Sequence, residues 1–238
     1  MADSNGNGGS KFFPKYDLLR TRATNAVEDK KKQPAPHQKT ALDKLSRWYA
    51  PKPHEPHGAI LVLPTGGGKT FTAVHFTCRY PLSNGFKVLW LAHTHHLLEQ
   101  ALNSFDNLVS LIAEPKSQLA IRVVSGATGH FPVHSISATD DVVIASLQAM
   151  AKAESFGHPS LNAFLESAGG KLFVIFDEPP HSTAPTYRKL LQHLRARCPN
   201  MMILGLTATP THSDPKKSGW LLKLFPQNIV HQETAQNL

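Results

Sequence analysis

The stretch Leu63-Pro64-Thr65-Gly66-Gly67-Gly68-Lys69-Thr70 gathers three glycines, a lysine and a hydroxyl, a set of groups suited to holding a chain of phosphates. Glycines let backbone N–H groups approach phosphate oxygens, and a helix opening at Lys69 adds partial positive charge there. Lys69 then reaches the β- and γ-phosphates, and the Thr70 hydroxyl is placed for Mg²⁺. Context separates this from a chance glycine turn. Ala59-Ile60-Leu61-Val62-Leu63 reads as a strand buried on both faces, and Phe71 to Phe76 continues as a helix. The general phosphate-loop pattern opens on one more glycine, where Leu63-Pro64 stand here. A second chemical pair, Asp177-Glu178, follows the apolar run Leu172–Phe176. In an open parallel sheet, ligand groups gather beyond the carboxyl ends of strands, so Asp177 is placed to complete a Mg²⁺ shell and Glu178 to orient or deprotonate an attacking water. Two acids at a strand end also cap helices, and the phosphate loop decides between the two. Gly205-Leu206-Thr207-Ala208-Thr209-Pro210 ends a later strand with two hydroxyls and a proline that stops it.

These groups need a scaffold that brings strand ends together. The 238 residues are enough for one large domain or two small ones. Short apolar strands alternate with helical stretches: Val88–Ala92, Ala120–Val124, Val142–Ala145, Leu172–Phe176 and Met201–Leu206, with helices over His95–Leu111, Pro159–Ser167 and Pro185–Arg197. That alternation specifies a mostly parallel sheet covered on both faces. Before it, Ala41, Leu42, Leu45 and Trp48 share one helical face, and Pro51 to Pro56 is a stiff connector. Residues 1–35, rich in Asn, Gly, Ser and Lys, read as a flexible arm with a short helix around Leu18–Val27. Lys30-Lys31-Lys32 reads as a solvated linker ahead of a phosphate contact.

The 25 Lys+Arg against 17 Asp+Glu leave +8, a balance that suits a polyanionic partner and equally a basic soluble surface. Two distant cysteines, Cys78 and Cys198, fit a reducing interior, and no apolar run reaches membrane-spanning length. With no secretory leader in view, the expected location is the cytoplasm. His93, His95 and His96 lack the helical i, i+4 pairing of zinc hydrolases, which argues against a metal centre there.

Taken together, Pro64 to Thr70, Asp177-Glu178 and Thr207-Ala208-Thr209-Pro210 resemble motifs I, II and III of superfamily 2 helicases and translocases. Leu91 to Ala101 resembles motif Ia, and Ile144-Ala145-Ser146-Leu147-Gln148 a later nucleic-acid-contact motif. The nearest subgroup is the DEAH-like ATPases related to type III restriction subunits, in which the missing first glycine is ordinary. The resemblance covers about Pro36 to Val230 and implies the first RecA-like lobe, an α/β P-loop domain over residues 36–238. It implies ATP and Mg²⁺ as ligands, nucleic acid as partner with DNA ahead of RNA, and a second RecA-like lobe in cis or on another subunit. By position, it assigns nucleic-acid contact to His93, Thr94, Gln100, Ser146 and Gln148, and nucleotide coupling to His181, Thr207 and Thr209. Gln38 falls where that family places a glutamine that reads adenine; a polar residue at a helix start accounts for it equally.

The chain departs from the family at three points. Thr94 stands where motif Ia usually has Arg. Motif II reads Asp177-Glu178-Pro179-Pro180-His181, so a proline without N–H occupies the fourth place of Asp-Glu-x-His. No arginine-finger motif follows, and the chain ends near where a second lobe should begin. The expected activity is therefore ATP hydrolysis that is weak in isolation. The alternative is a non-catalytic module that binds ATP or nucleic acid through a degenerate motif II.

Overall fold

A computed structural model describes residues 10–28, 33–50, 57–152, 157–178, 185–209 and 225–237. In chain order the elements are β1 (Lys15–Asp17), α1 (Leu18–Glu28), α2 (Pro36–Tyr49), β2 (His57–Val62), α3 (Lys69–Thr77), β3 (Lys87–Ala92), α4 (His95–Leu108), β4 (Gln118–Val124), β5 (Val142–Ser146), α5 (Leu147–Ala151), α6 (Pro159–Ser167), β6 (Leu172–Asp177), α7 (Pro185–Arg197), β7 (Met202–Thr207) and β8 (Ile229–Gln232). The strands form an eight-stranded sheet in the order β1-β4-β5-β3-β6-β7-β2-β8. Every pairing is parallel except β1 with β4. Among the described residues, no helix is long and apolar enough to cross a membrane.

Branched, uncharged strand sequences produce this arrangement because both faces of the sheet are covered. Alternate residues of each strand enter opposite cores. Leu61, Trp90, Phe173 and Ile175 pack with α2, α3 and α4 residues on one side. Ile60, Val62, Leu89, Leu91, Val174 and Phe176 pack with α5, α6 and α7 residues on the other. α4 shows the same logic at helical spacing, burying Leu98, Ala101, Leu102, Phe105 and Leu108.

Part of the stretch read as a flexible arm is built into the sheet. Lys15–Asp17 pairs antiparallel with Gln118–Ala120, and the Val123 N–H donates to the Phe12 carbonyl at 2.9 Å. Leu18 is fully buried, the Tyr16 hydroxyl donates to Asp106, and the Arg22 guanidinium donates to the Ile112 and Lys116 carbonyls. A flexible arm therefore does not extend over residues 15–22, and the sheet begins ahead of residue 36. The short helix expected there is α1. Below it, the buried Arg122–Asp140 pair is bidentate, with 2.7 and 3.0 Å contacts, and Arg122 lies against the Phe13 ring at 3.9 Å. A buried charge is tolerated only when paired in this way.

Candidate functional site

Parallel strands that all run the same way deliver their last residues to one rim, and the chemistry-bearing residues stand on that rim. Val62 pairs in register with Thr207, and Asp177 with Leu206, so the ends of β2, β7 and β6 lie side by side. Two backbone bonds continue the pairing past the strands: Leu63 N–H to Thr207 O at 3.1 Å, and Glu178 N–H to Leu206 O at 2.9 Å.

Beyond β2 the chain turns through left-handed backbone at Gly66 (φ +83°) and Gly68 (φ +77°), which a side chain would strain. The Gly67 N–H closes the turn on the Pro64 carbonyl at 2.9 Å, and Gly68 O accepts the Thr72 N–H to start α3. Lys69 and Thr70 thus occupy the first positions of a helix whose unbonded N–H groups face the loop, the arrangement that binds phosphate. Thr65 and Gly66 are exposed at the lip, while Thr70 is 5 % exposed.

The two acids at the end of β6 differ. Asp177 is 1 % exposed and, among the described residues, its Oδ2 has no hydrogen-bond partner. Burial, then the charge of Glu178, push its carboxyl up to about 7, against the pull of Lys69 and the Trp90 indole. Glu178 sits in left-handed backbone (φ +56°), uncommon for a residue with a side chain. Its Oε1 lies 3.3 Å from Lys69 Nζ, so loop lysine and strand-end acid meet across β7. A buried carboxylate oxygen without a partner among the described residues, beside the first turn of α3, fits a divalent cation, which Thr70 and Asp177 could hold.

The proton on Asp177 has a measurable consequence. A folded-state carboxyl raised from 3.8 to about 7 adds stability below the ordinary carboxylate range, and that stability is lost as pH rises through about 7. Asp177→Asn removes the cost of ionising this buried group. In metal-free buffer it should melt above the parent by several degrees at pH ~8 and lose the advantage by pH ~4. Thermal melts at both pH values check this; an advantage of equal size at both contradicts it.

Thr207, 1 % exposed, uses its hydroxyl locally: Oγ1 donates to Thr209 O at 3.1 Å and accepts the Thr209 N–H at 3.3 Å. This closes the turn after β7, between loop and acids. His181, with Pro179 and Pro180, lies outside the described residues.

The positions expected to meet nucleic acid fall on the other half of the rim. Ala92 pairs with Ser146, and Gln148 Nε2 donates to the His93 carbonyl at 3.1 Å, which joins the ends of β3 and β5. Thr94 and Ser146 each cap a helix, accepting the N–H of Leu97 and Ala149 respectively. Ser146 is 3 % exposed, so its hydroxyl is turned inward, whereas Thr94 and Gln148 face solvent. Gln100 stands further along α4 on a shallow polar groove with His96, Asn103 and Asn107, away from the His93–Gln148 contact.

Two sets of contacts at the rim escape a reading of motifs. Ser125, at the end of β4, has its Oγ 2.6 Å from His130 Nδ1 and 3.2 Å from His95 Nδ1. His37 and Gln38, in the first turn of α2, both reach the Gly67 carbonyl, at 3.0 and 3.2 Å. The adjacency of His37 to Gln38 was the one available signal for the second; nothing in the spacing marks the first.

A parallel sheet with a glycine loop after β2, paired acids after β6 and a Thr-Ala-Thr turn after β7 defines a RecA-like lobe of the helicase type. Residues 31–212 match the family described as the type III restriction enzyme Res subunit, ResIII, and the chain belongs to that family. Among solved structures it is similar to the UvsW helicase from Bacteriophage T4, with 19 % identity and a TM-score of 0.55, over 83 % of this chain and 60 % of that one. The Hef helicase domain of Pyrococcus furiosus matches with 23 % identity and a TM-score of 0.60, over 90 % and 40 %. Dbp5 L327V of S. cerevisiae, bound to RNA and ADP BeF3, matches with 13 % identity and a TM-score of 0.56, over 92 % and 49 %. At these identities the structures share the fold, and this chain spans 60 % or less of each of the three. A comparison with curated protein sequences gave no match.

Proposed function

We propose that this chain is the ATP-binding lobe of a nucleic-acid-dependent ATPase, a helicase or translocase that works with a second RecA-like lobe in cis or on another subunit. The observation that carries the reading is the Lys69–Glu178 contact at 3.3 Å beside the unpartnered Oδ2 of Asp177. It brings a phosphate-binding lysine, a metal-binding acid and a candidate base to one point. Lys69 and the loop N–H groups bind the β- and γ-phosphates, while Pro64, Thr65, Gly66, Gly67 and Gly68 shape the cradle. Mg²⁺, held by Thr70 and Asp177, would neutralise triphosphate charge. Glu178 leaves Lys69 to orient water and accept its proton. Thr207 and Thr209, in the turn after β7 between loop and acids, relay nucleotide state toward His93, Thr94 and Gln148, and His181 joins them in that role. We place the protein in the cytoplasm, where ATP and nucleic acid meet. DNA is favoured over RNA because the family is that of a restriction enzyme subunit.

Nucleic-acid binding tests the partner half of this reading. Phosphate contacts release counterions, so affinity for a fluorescent oligonucleotide should be measurable at low salt and fall steeply as salt rises. Anisotropy titrations with single- and double-stranded DNA and RNA provide the measurement. Affinity that is flat with salt, or absent at low salt, contradicts a nucleic-acid partner.

A further inference from the structure

We propose that the indole N–H of Trp90 holds the Asp177 carboxylate in the orientation that receives the divalent cation, which makes Trp90 a positioning residue of the nucleotide site. The inference rests on the nucleotide-site reading above and adds a residue that none of its motifs contains.

β3 and β6 lie side by side, with Trp90 opposite Ile175 and Ala92 opposite Asp177. Successive side chains of a strand alternate between faces, so all four point to the face that α2, α3 and α4 cover. Ala92 brings only a methyl to the place beside Asp177, and the larger indole stands two residues before it on the same face. The indole N–H is close enough to the Asp177 carboxyl to act on it. Trp90 is fully buried and Asp177 nearly so. Among the described residues, neither Trp90 Nε1 nor Asp177 Oδ2 has a hydrogen-bond partner. An unmet donor and an unmet acceptor are thus neighbours in one core.

Packing alone does not call for an indole here. The ring meets Phe105 of α4 edge-on, with centroids 6.1 Å apart, a contact that phenylalanine would also make. Val88, Leu89 and Leu91 of the same strand are aliphatic. The N–H adds a buried donor, which is costly until an acceptor completes it. Asp177 has the complementary need. A carboxylate offers about four lone-pair positions, and a cation bound at one oxygen leaves the others to be met. In a site this dry, protein donors must meet them. The indole has a donor and no acceptor, so it serves the carboxylate without competing for the cation. Its rigid ring, packed on Phe105, then fixes the plane of the carboxylate.

The experiment is equilibrium binding of a fluorescent ATP analogue to the full chain and to Trp90→Phe, in Mg²⁺ and in EDTA. Trp90→Phe keeps an aromatic ring and removes the donor. It should weaken binding in Mg²⁺ about ten- to a hundredfold, as loss of an outer partner of a metal ligand does, and leave binding in EDTA within about twofold of the parent. Equal loss in both buffers, or no loss in either, would make Trp90 a core residue only; that overturns the proposal and leaves the nucleotide site standing. A parent that binds equally in both buffers, or not at all, overturns the functional reading and this inference with it. If Trp90→Phe does not fold, the parent still decides. ¹⁵N-labelled tryptophan gives an indole N–H signal for each of Trp48, Trp90 and Trp220, assigned through Trp48→Phe and Trp220→Phe. The Trp90 proton should move downfield when ATP is added with Mg²⁺, and less with ATP in EDTA, as the carboxylate accepts it. A Trp90 signal that stays in place, or moves alike in both, overturns the proposal.

Discussion

Lys69→Ala is expected to bind MgATP roughly ten- to a hundredfold more weakly than the parent, since a hydrogen bond to a charged group is worth about 1.5–3 kcal/mol. The loss follows from where the side chain points. Lys69 begins α3 at the glycine loop, is 13 % exposed, and reaches the acid at the end of β6 rather than either core. The fold should survive, because no core side chain loses a neighbour and the Glu178 carboxylate, 39 % exposed, can turn to water. Calorimetric titration beside a circular dichroism spectrum checks both halves. A folded variant with unchanged affinity would show that the phosphate is held elsewhere.

Glu178→Gln should separate binding from turnover. The amide cannot accept the proton of an attacking water, and removing a general base typically costs ~10²–10⁴ in rate. The same change releases Lys69 from its ion pair, so MgATP affinity should stay level or rise. Steady-state phosphate release, with and without DNA or RNA, provides the readout. A variant as fast as the parent would exclude Glu178 as base. A parent with no turnover in the presence of nucleic acid would favour a non-catalytic binding module, the reading that Pro179-Pro180 in motif II raises.

Much of the fold was legible because parallel strands declare themselves. Val88–Ala92, Val142–Ala145 and Leu172–Phe176 are continuous apolar runs, and each lies inside a strand of the sheet. Pro159 at a helix start made α6 readable to the residue. The two sheet edges were not legible. Lys15-Tyr16-Asp17 has no apolar alternation and becomes a strand only because the edge of β4 offers free backbone partners. Ile229–Gln232 is too short to show a period, and its place beside β2 is a tertiary fact.

The site divides in the same way. Gly66 to Thr70 and Asp177-Glu178 carry their chemistry in residue type and spacing, so sequence suffices to name them. That Glu178 stands in left-handed backbone, or that Asp177 Oδ2 is buried without a partner, depends on how β6 ends beside β7. The inward turn of Ser146 has the same origin: its hydroxyl caps α5, a helix too short to read from periodicity. The reach of His37 to Gly67 crosses from α2 to the loop, and no local pattern encodes such a contact.

The account stands or falls on a nucleotide site made jointly by the glycine loop and the strand-end acid. Calorimetric titration of the parent chain with ATP, in Mg²⁺ and then in EDTA, tests this most directly. The expected result is one site per chain, occupied with Mg²⁺ and much weakened without it, because Thr70 and Asp177 act through the metal. Absent binding, or binding of equal strength in EDTA, would contradict it.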